Sequence, residues 1–502
     1  MSADESSRPN ILFLMADQQQ WQTIAGRSLC RTPSIQRLVD SGLLFNRSYT
    51  PSTLCCPARA MLLSGAYHWH NGVFNQVHSA PSVHRDLWPG IVTYPQRLKE
   101  AGYYVGHVGK WHASYVRTPL DFGFDEVAAI SCNRKLLDVL PMRPEDSPRQ
   151  KPNPEYTKLS ERLFQWPGSD PFPLWVCLEG DESKTNAAWI ADAGIRMMER
   201  ASHKGTPWHI EIHWPEPHDV YAPLKKYVDR YKADDIPVPP SFYDTFGRKP
   251  GLHKRESSIW EPLTTRDVQE GLAHYFAYCE QLDHQIGRVL DALEQTGNAD
   301  NTIVVFTSDH GDMGGSHRMW IKDRVPYEEC YRIPLVIRWP GRIEPGAATD
   351  HLVQLHDLGH TYLDILGLEP LPFADGRSLV PLFDDPYSND WDDTILCAHY
   401  GGEFLDTQRM VITQRYKYIF NGFDFDEVYD LQEDPHEMRN VVEEPAYSQV
   451  VDELRLKLYD LMTRHGDPYG DDSPAYTGDF QGNGDRPNRY GAPRYLIRPH
   501  RS

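Results

Sequence analysis

The chain predicts an α/β protein: a large mixed, mostly parallel sheet flanked by helices, followed by a smaller C-terminal antiparallel sheet with a helix. Three observations predict it. Ile11-Leu12-Phe13-Leu14-Met15 and Ile303-Val304-Val305-Phe306 are short, unbroken apolar runs of the kind found in strands covered on both faces. Helical periodicity separates such runs, as between residues 271 and 294, and that alternation places helices on both faces of a parallel sheet. Past residue 380 the pattern changes to closely spaced strands, Met410-Val411-Ile412-Thr413 and Tyr416-Lys417-Tyr418-Ile419-Phe420, which read as antiparallel neighbours. The expected division is a main unit over residues 1–380, a small α+β unit over 381–466 and a tail over 467–502.

Taken in order, the elements deliver polar groups to their ends. The first apolar run stops at Asp17-Gln18. Residues 95–102 read as a helix closed by Gly102. The strand Tyr103-Tyr104-Val105-Gly106-His107-Val108 then runs into Gly109-Lys110-Trp111-His112. Residues 133–173 are rich in proline and charge with weak periodicity, which fits an insertion walling a pocket or a plain surface excursion. Trp208 to Trp214 is mixed but strand-like and leads to Pro215-Glu216-Pro217-His218. Asn301 opens the strand that ends at Ser308-Asp309-His310-Gly311. A helix is expected within residues 443–465.

In open α/β sheets ligands bind beyond the carboxyl ends of the strands, so groups following four strands can meet in one place. Asp17, Gln18, Asp309 and His310 offer mostly hard oxygen donors plus one imidazole, a set that suits calcium, with manganese or magnesium admitted by the nitrogen. Arg59, Lys110, His112, His218 and Lys322 add cations and hydrogen-bond donors, which calls for an anion among them. Cys55 opens Cys55-Cys56-Pro57-Ala58-Arg59, which closes on Leu63-Ser64-Gly65. Read alone, this is a half-buried free cysteine before a helix that begins at Pro57.

With its neighbours, the pentapeptide says more. Pro9-Asn10-Ile11-Leu12 with Asp17, Gly109-Lys110-Trp111-His112, Gly123-Phe124-Asp125, Pro217-His218, Leu282-Asp283 with Ile286-Gly287, and Ser308-Asp309-His310-Gly311 occur in that order. Lys322, Tyr327-Glu328-Glu329, Arg332-Ile333-Pro334-Leu335, Asp375-Gly376, Tyr429-Asp430-Leu431 and Asp434-Pro435 follow. From about Pro9 to about Asn440 the chain resembles the formylglycine-dependent sulfatases of the alkaline phosphatase superfamily. The resemblance implies that a formylglycine-generating maturation enzyme oxidises Cys55 to 3-oxoalanine. It also implies one divalent metal held by Asp17, Gln18, residue 55, Asp309 and His310.

The same resemblance implies a mechanism. The aldehyde hydrates to a diol, Asp309 accepts a proton, and the freed oxygen attacks sulfur. Arg59, Lys110, Lys322 and the metal spread the charge on the sulfuryl oxygens. His218, together with Lys322, protonates the departing alcohol, and His112 helps the second hydroxyl release sulfate. Ala58 departs from the commoner serine of the signature; the maturation machinery reads chiefly the cysteine, proline and arginine. Cys56 is not the modified residue, because counting from it puts Ala58 where proline is required.

Two other readings stand beside sulfate-ester hydrolysis. Formylglycine enzymes that hydrolyse phosphonate monoesters and phosphodiesters share the Asp-Gln and Asp-His pairs but tend to lack Lys-x-His, which is intact here in Lys110 and His112. An inactive relative that only binds sulfated glycans is the third. The substrate is expected to be a carbohydrate or other small sulfate ester.

Composition narrows the partners. The 502 residues, 40% of them hydrophobic, suffice for one large sheet and a smaller unit. A formal net charge of -20 gives no footprint for nucleic acid or an anionic membrane, and no stretch is apolar enough to span a bilayer. Met1-Ser2-Ala3-Asp4-Glu5 lacks the basic and apolar regions of a secretory signal, so a cytoplasmic location is expected. Eight scattered cysteines read as free thiols, with no zinc-type pair. Residues 486–501 hold five arginines and no acid, a segment that could dock on a neighbouring subunit of a homo-oligomer, close over the pocket or stay disordered.

Overall fold

Nine strands form one twisted sheet in this computed structural model, which describes residues 8–79, 82–131, 133, 142–143, 156–165, 170–322, 325–373, 375–402, 406–422 and 424–468. From edge to edge the order is β11 (Ala347–Gln354), β2 (Leu43–Tyr49), β10 (Leu335–Arg338), β8 (Thr302–Ser308), β1 (Asn10–Ala16), β7 (Trp208–His213), β3 (Tyr104–Trp111) and β4 (Glu126–Ser131). The two-residue β9 (Arg332–Ile333) pairs with β2 off this path. Pairings β1·β7, β1·β8, β3·β7, β3·β4 and β2·β11 are parallel, whereas β10 runs antiparallel to both β2 and β8. The sheet is therefore mixed and mostly parallel, as its apolar strands predict.

β1 lies at the centre, and its alternation divides the core. Ile11, Phe13 and Met15 pack on one face with Ala58 and Leu62 of the helix Cys55–Ser64, Leu98 of the helix Tyr94–Glu100 and Leu358 of the helix Asp357–Ile365. Leu12, Leu14 and Ala16 pack on the other with the helices Pro33–Ser41, Asn186–Ser202 and Thr265–Gln295. Burial of both faces is the physical reason these strands are apolar without interruption.

Several boundaries differ from expectation, each for a local reason. The helix expected at residues 271–294 runs over Thr265–Gln295, because Thr264 and Asp267 cap it reciprocally: Thr264 Oγ1 accepts from Asp267 N at 3.1 Å, and Asp267 Oδ2 accepts from Thr264 N at 3.0 Å. The helix expected to begin at Pro57 begins at Cys55; proline is tolerated at its third position because the first backbone N–H groups have no partner inside a helix. β3 continues past Val108 through Lys110 and Trp111, turning at Gly109, whose φ is +94°. A Cβ on Gly109 would sit 1.9 Å from the His213 carbonyl oxygen, so this strand position needs glycine.

The small unit is the antiparallel sheet β12 (Thr394–His399), β13 (Gln408–Thr413), β14 (Tyr416–Asn421) and β15 (Glu427–Asp430), with the helix Ser448–Arg464. One face, with Val411, Tyr418 and Phe420, packs on that helix and on Met61 and Tyr67; the other, with Met410, Ile412 and Ile419, packs on Tyr49 and Leu352. Within the proline-rich segment, β5 (Thr157–Phe164) and β6 (Phe172–Glu179) pair as an antiparallel hairpin, a regular element that its weak periodicity did not announce. The arginine-bearing tail and most of residues 132–155 lie outside the described residues. Among the described residues no helix is long and apolar enough to cross a membrane.

Candidate active site

The carboxyl ends of β1 and β8 lie side by side, because Asp309 N donates to Ala16 O at 3.4 Å, and this sets Asp17 and Asp309 against each other. Both are wholly buried. Arg59, one helical turn beyond Cys55, bridges them: Nη2 donates to Asp17 Oδ2 and Nε to Asp309 Oδ2, each at 2.9 Å. Lys110 Nζ also pairs with Asp17 Oδ2. The Oδ2 oxygens thus face cations, while the Oδ1 oxygens turn the other way, 3.8 and 3.7 Å from His310 Nε2.

Cys55 completes this ring. Its Sγ lies 3.2 Å from His310 Nε2 and 3.9 Å from Asp17 Oδ1. His310 Nδ1 donates to Gly311 O at 2.9 Å, which leaves Nε2 as the nitrogen aimed at the cluster. Ligand atoms of Asp17, Cys55, Asp309 and His310 all lie within 4.8 Å of one another. Gln18, in a left-handed conformation with φ +67°, donates its backbone N–H to Asp309 Oδ1 at 3.2 Å. Its amide is oriented from both ends, Nε2 donating to Asp312 Oδ2 at 2.5 Å and Oε1 accepting from Lys322 Nζ at 3.1 Å. Two carboxylates and one imidazole converge beside Cys55, so the residues fit a hard divalent cation.

Charge in the site follows from these contacts. Burial opposes ionisation of Asp17, yet Lys110, His218 and Arg59 hold its carboxyl far below the usual range. Burial and the neighbouring Asp17 push Asp309 upward. Burial disfavours protonation of His310, but Asp309 and Cys55 overcome it and raise its pKa, so the cluster attracts positive charge. Burial also opposes ionisation of the Cys55 thiol; Lys110, Lys322 and His310 outweigh it and hold the thiol well below its ordinary value. The position of Cys55 at the first turn of a ten-residue helix acts in the same direction.

Lysine and imidazole side chains lie beyond this ring. Lys322 Nζ lies 2.5 Å from His218 Nε2, and His218 Nδ1 donates to Asp219 O at 2.7 Å. Burial alone would favour the neutral amine of Lys322, but Cys55, Asp219 and Asp17 raise its pKa. His112 is pushed down to about 4 by burial and Lys110. It stacks on His78 with ring centroids 4.9 Å apart and Nε2 3.1 Å from His78 Nδ1.

The structure therefore brings together Asp17, Gln18, Cys55, Arg59, Lys110, His112, His218, Asp309, His310 and Lys322. Arg59 donates to Asp17, Asp309, Lys110 O and His213, and so clamps the two carboxylates. Sequence reasoning missed Asp312, which also accepts from Tyr221 Oη at 2.6 Å, and His78. Asp312 follows Asp309 by three residues in a loop without periodicity. His78 is recognisable only once the fold stacks it on His112.

Comparison with known proteins places this geometry. A family model described as Sulfatase matches residues 9–368, and one described as N-sulphoglucosamine sulphohydrolase, C-terminal, matches residues 315–464. The chain is 25% identical to an N-acetylglucosamine-6-O-sulfatase of Bacteroides thetaiotaomicron over 92% of this chain and 88% of that protein. It is 27% identical to a choline-sulfatase of Rhizobium meliloti (92% and 88%) and 26% identical to an arylsulfatase of Clostridium perfringens (92% and 96%). Its fold matches that of a protein solved in complex with its substrate D-glucosamine-2-N,6-O-disulfate, with TM-score 0.73, 23% identity and coverage of 92% and 99%. It likewise matches a phosphonate monoester hydrolase of Agrobacterium radiobacter, with TM-score 0.74, 23% identity and coverage of 91% and 96%. A match to that family model over well more than half its length, on a fold and a cysteine-centred cluster of this kind, makes the chain a member of the sulfatase family.

Proposed function

We propose that the protein hydrolyses a small organic sulfate ester to an alcohol and inorganic sulfate, with Cys55 matured to formylglycine as nucleophile. The observation that carries this reading is the position of Cys55, with Asp17, Asp309 and His310 on one side and Lys110, Lys322, His112 and His218 around it. Asp17, Gln18, Asp309 and His310 would hold one divalent cation, calcium by the hardness of the oxygens, with manganese or magnesium as alternatives. The aldehyde and the cation together would supply a nucleophile and a Lewis acid at neutral pH.

The chain's own residues do the rest. Lys110 Nζ and Lys322 Nζ bind the sulfuryl oxygens and oppose the charge that grows on them. Asp309, whose pKa is raised, takes a proton from the nucleophile. His218 Nε2 shares a proton with Lys322 Nζ at 2.5 Å and passes it to the leaving alcohol oxygen. His112, neutral because burial and Lys110 keep its pKa low, accepts a proton as sulfate is released, with His78 stacked behind it. Sulfated sugars are the first substrate class to test, because one relative is named for N-acetylglucosamine-6-O-sulfate and a fold neighbour was solved with a sulfated glucosamine.

Protein produced with a maturation enzyme is expected to carry an aldehyde at residue 55 by peptide mapping and to release sulfate from an aryl sulfate or a sulfated sugar. Cys55→Ala should abolish turnover. Full activity in that variant, or a large preference for an aryl phosphonate over the aryl sulfate, would overturn the assignment.

A further inference from the structure

β7 carries a polar stripe where the sheet is otherwise oily. Its alternate residues His209, Glu211 and His213 point to one face and are buried, in a strand held between β1 and β3. The Glu211 carboxylate is enclosed by donors. Oε1 accepts from the Tyr94 hydroxyl and lies 3.2 Å from His209 Nε2; Oε2 lies 3.3 Å from His107 Nδ1 and 3.4 Å from His213 Nε2. Burial opposes its ionisation, but His107, His209 and His213 hold it below the usual carboxylate range. A buried carboxylate is costly to keep, and no step derived above uses this one.

His213 connects it to the active site. Its Nδ1 lies 3.3 Å from Arg59 Nη1, and a guanidinium only donates, so Nδ1 is the acceptor and the ring proton sits on Nε2, which makes no hydrogen bond but lies 3.4 Å from the Glu211 carboxylate, whose charge favours the proton there. Burial keeps His213 well below its ordinary pKa, so the ring is neutral and the lone pair is available. Arg59 Nη1 also donates to Lys110 O at 3.2 Å. With Nη1 held by these two acceptors, the Nε and Nη2 edges of the guanidinium lie against Asp309 and Asp17.

We propose that Glu211, acting through His213, is a positioning residue for Arg59: it selects the His213 tautomer whose Nδ1 holds the guanidinium in the rotation that clamps Asp17 and Asp309. The inference rests on reading those two carboxylates as cation ligands. His107, Glu211 and His213 also lie near enough together to hold a metal ion. A cation there would take the Nε2 lone pair of His213 and send the ring proton to Nδ1, where it would face an Arg59 N–H. Donor would meet donor, which disfavours a cation on His213.

The test is Ca2+ and Mn2+ affinity, titrated on the full-length, metal-stripped protein, with turnover of an aryl sulfate followed in parallel. His213→Phe keeps a ring and removes the acceptor; His213→Asn puts an amide oxygen where Nδ1 stood. The Phe variant should bind the cations about 10-fold more weakly and turn over about 100-fold more slowly, the scale of losing a group that orients a ligand. The Asn variant should recover most of both. Glu211→Gln should show a smaller loss, and combined with His213→Phe it should cost nothing further. Unchanged affinity in His213→Phe, no recovery in His213→Asn, or losses that simply add would overturn the proposal. So would a second bound cation that is lost on His107→Phe. A wild-type protein that binds the cation but cleaves no sulfate ester would reject the activity alone, and the affinity series would still decide the role of Glu211.

Discussion

Gln18 is a neutral side chain in a corner crowded with charge, and its usefulness depends on which way its amide points. Asp312 fixes that by accepting from Nε2, and Tyr221 Oη holds Asp312 in turn. Asp312→Ala would leave three buried donors, Gln18 Nε2, Tyr221 Oη and Gly314 N, without their acceptor, at a cost of about 1–3 kcal/mol each. The expected outcome is a clear fall in urea midpoint together with weaker calcium binding; an unchanged midpoint would mean that water replaces the carboxylate. Lys322→Ala removes the partner of both Gln18 Oε1 and His218 Nε2. It should lower kcat by roughly 100-fold or more, as expected for a donor aimed at developing charge. A change confined to KM would assign Lys322 to ground-state binding. The clustering of Asp17, Asp309 and His310 was legible because they directly follow apolar strands. Asp312, His78 and the β7 stripe were harder, because their roles come from neighbours distant in sequence. The His209, Glu211, His213 alternation was a usable signal: polar residues at period two in a strand covered on both faces demand partners.

At the level of elements, two short devices place the candidate catalytic groups. Gly109 lets β3 pass under the His213 carbonyl, and its left-handed φ aims Lys110 toward Asp17. Gly109→Ala meets both a backbone oxygen and a disfavoured φ, so a loss of at least about 3 kcal/mol or failure to fold is expected, read by thermal melting. Near-wild-type stability would show that β3 can shift. The helix Thr265–Gln295 carries Tyr275, whose hydroxyl accepts from Gln20 N and donates to Gln18 O, each at 2.8 Å. Its N-terminus depends on the Thr264–Asp267 box, so Thr264→Ala should cost about 1 kcal/mol in urea unfolding while kcat stays within about twofold. The strands around residues 11–15, 303–306, 410–413 and 416–420 were readable from apolar runs and the long helix Thr265–Gln295 from periodicity, whereas the β5·β6 hairpin was not. The ends of the elements were not, because caps and a positive-φ glycine set them.

Across the whole molecule, buried neutral histidines make the fold sensitive to acid. His317 stacks on Tyr327 with centroids 3.5 Å apart and lies 2.7 Å from Asp244. Burial and Lys249 push it down to about 3 against the opposing pull of Asp244, and burial likewise lowers His68, His213 and His356. Because the native form stays neutral while the unfolded chain takes up protons below about pH 6.5, this stability is complete above that pH and is lost as the pH falls toward 3. The His317 contribution alone is on the order of 3 kcal/mol by about pH 4. Melting temperature should therefore drop between pH 7 and 4.5, and less steeply in His317→Gln; parallel curves would rule His317 out. Lys417, on β14 of the small sheet, pairs with Glu328 at 2.9 Å and Glu437 at 2.6 Å.

What could be read from residue order alone was the class of fold, the signature cysteine and the candidate ligand residues at strand ends, because each rests on local periodicity or on groups adjacent along the chain. The antiparallel insertion of β10, the contacts of Arg59 with Asp17 and Asp309, and the placement of His213 and Glu211 behind it came only with the tertiary structure. Those features depend on which strands become neighbours, and a guanidinium chooses its acceptors only after packing has brought them within about 3 Å.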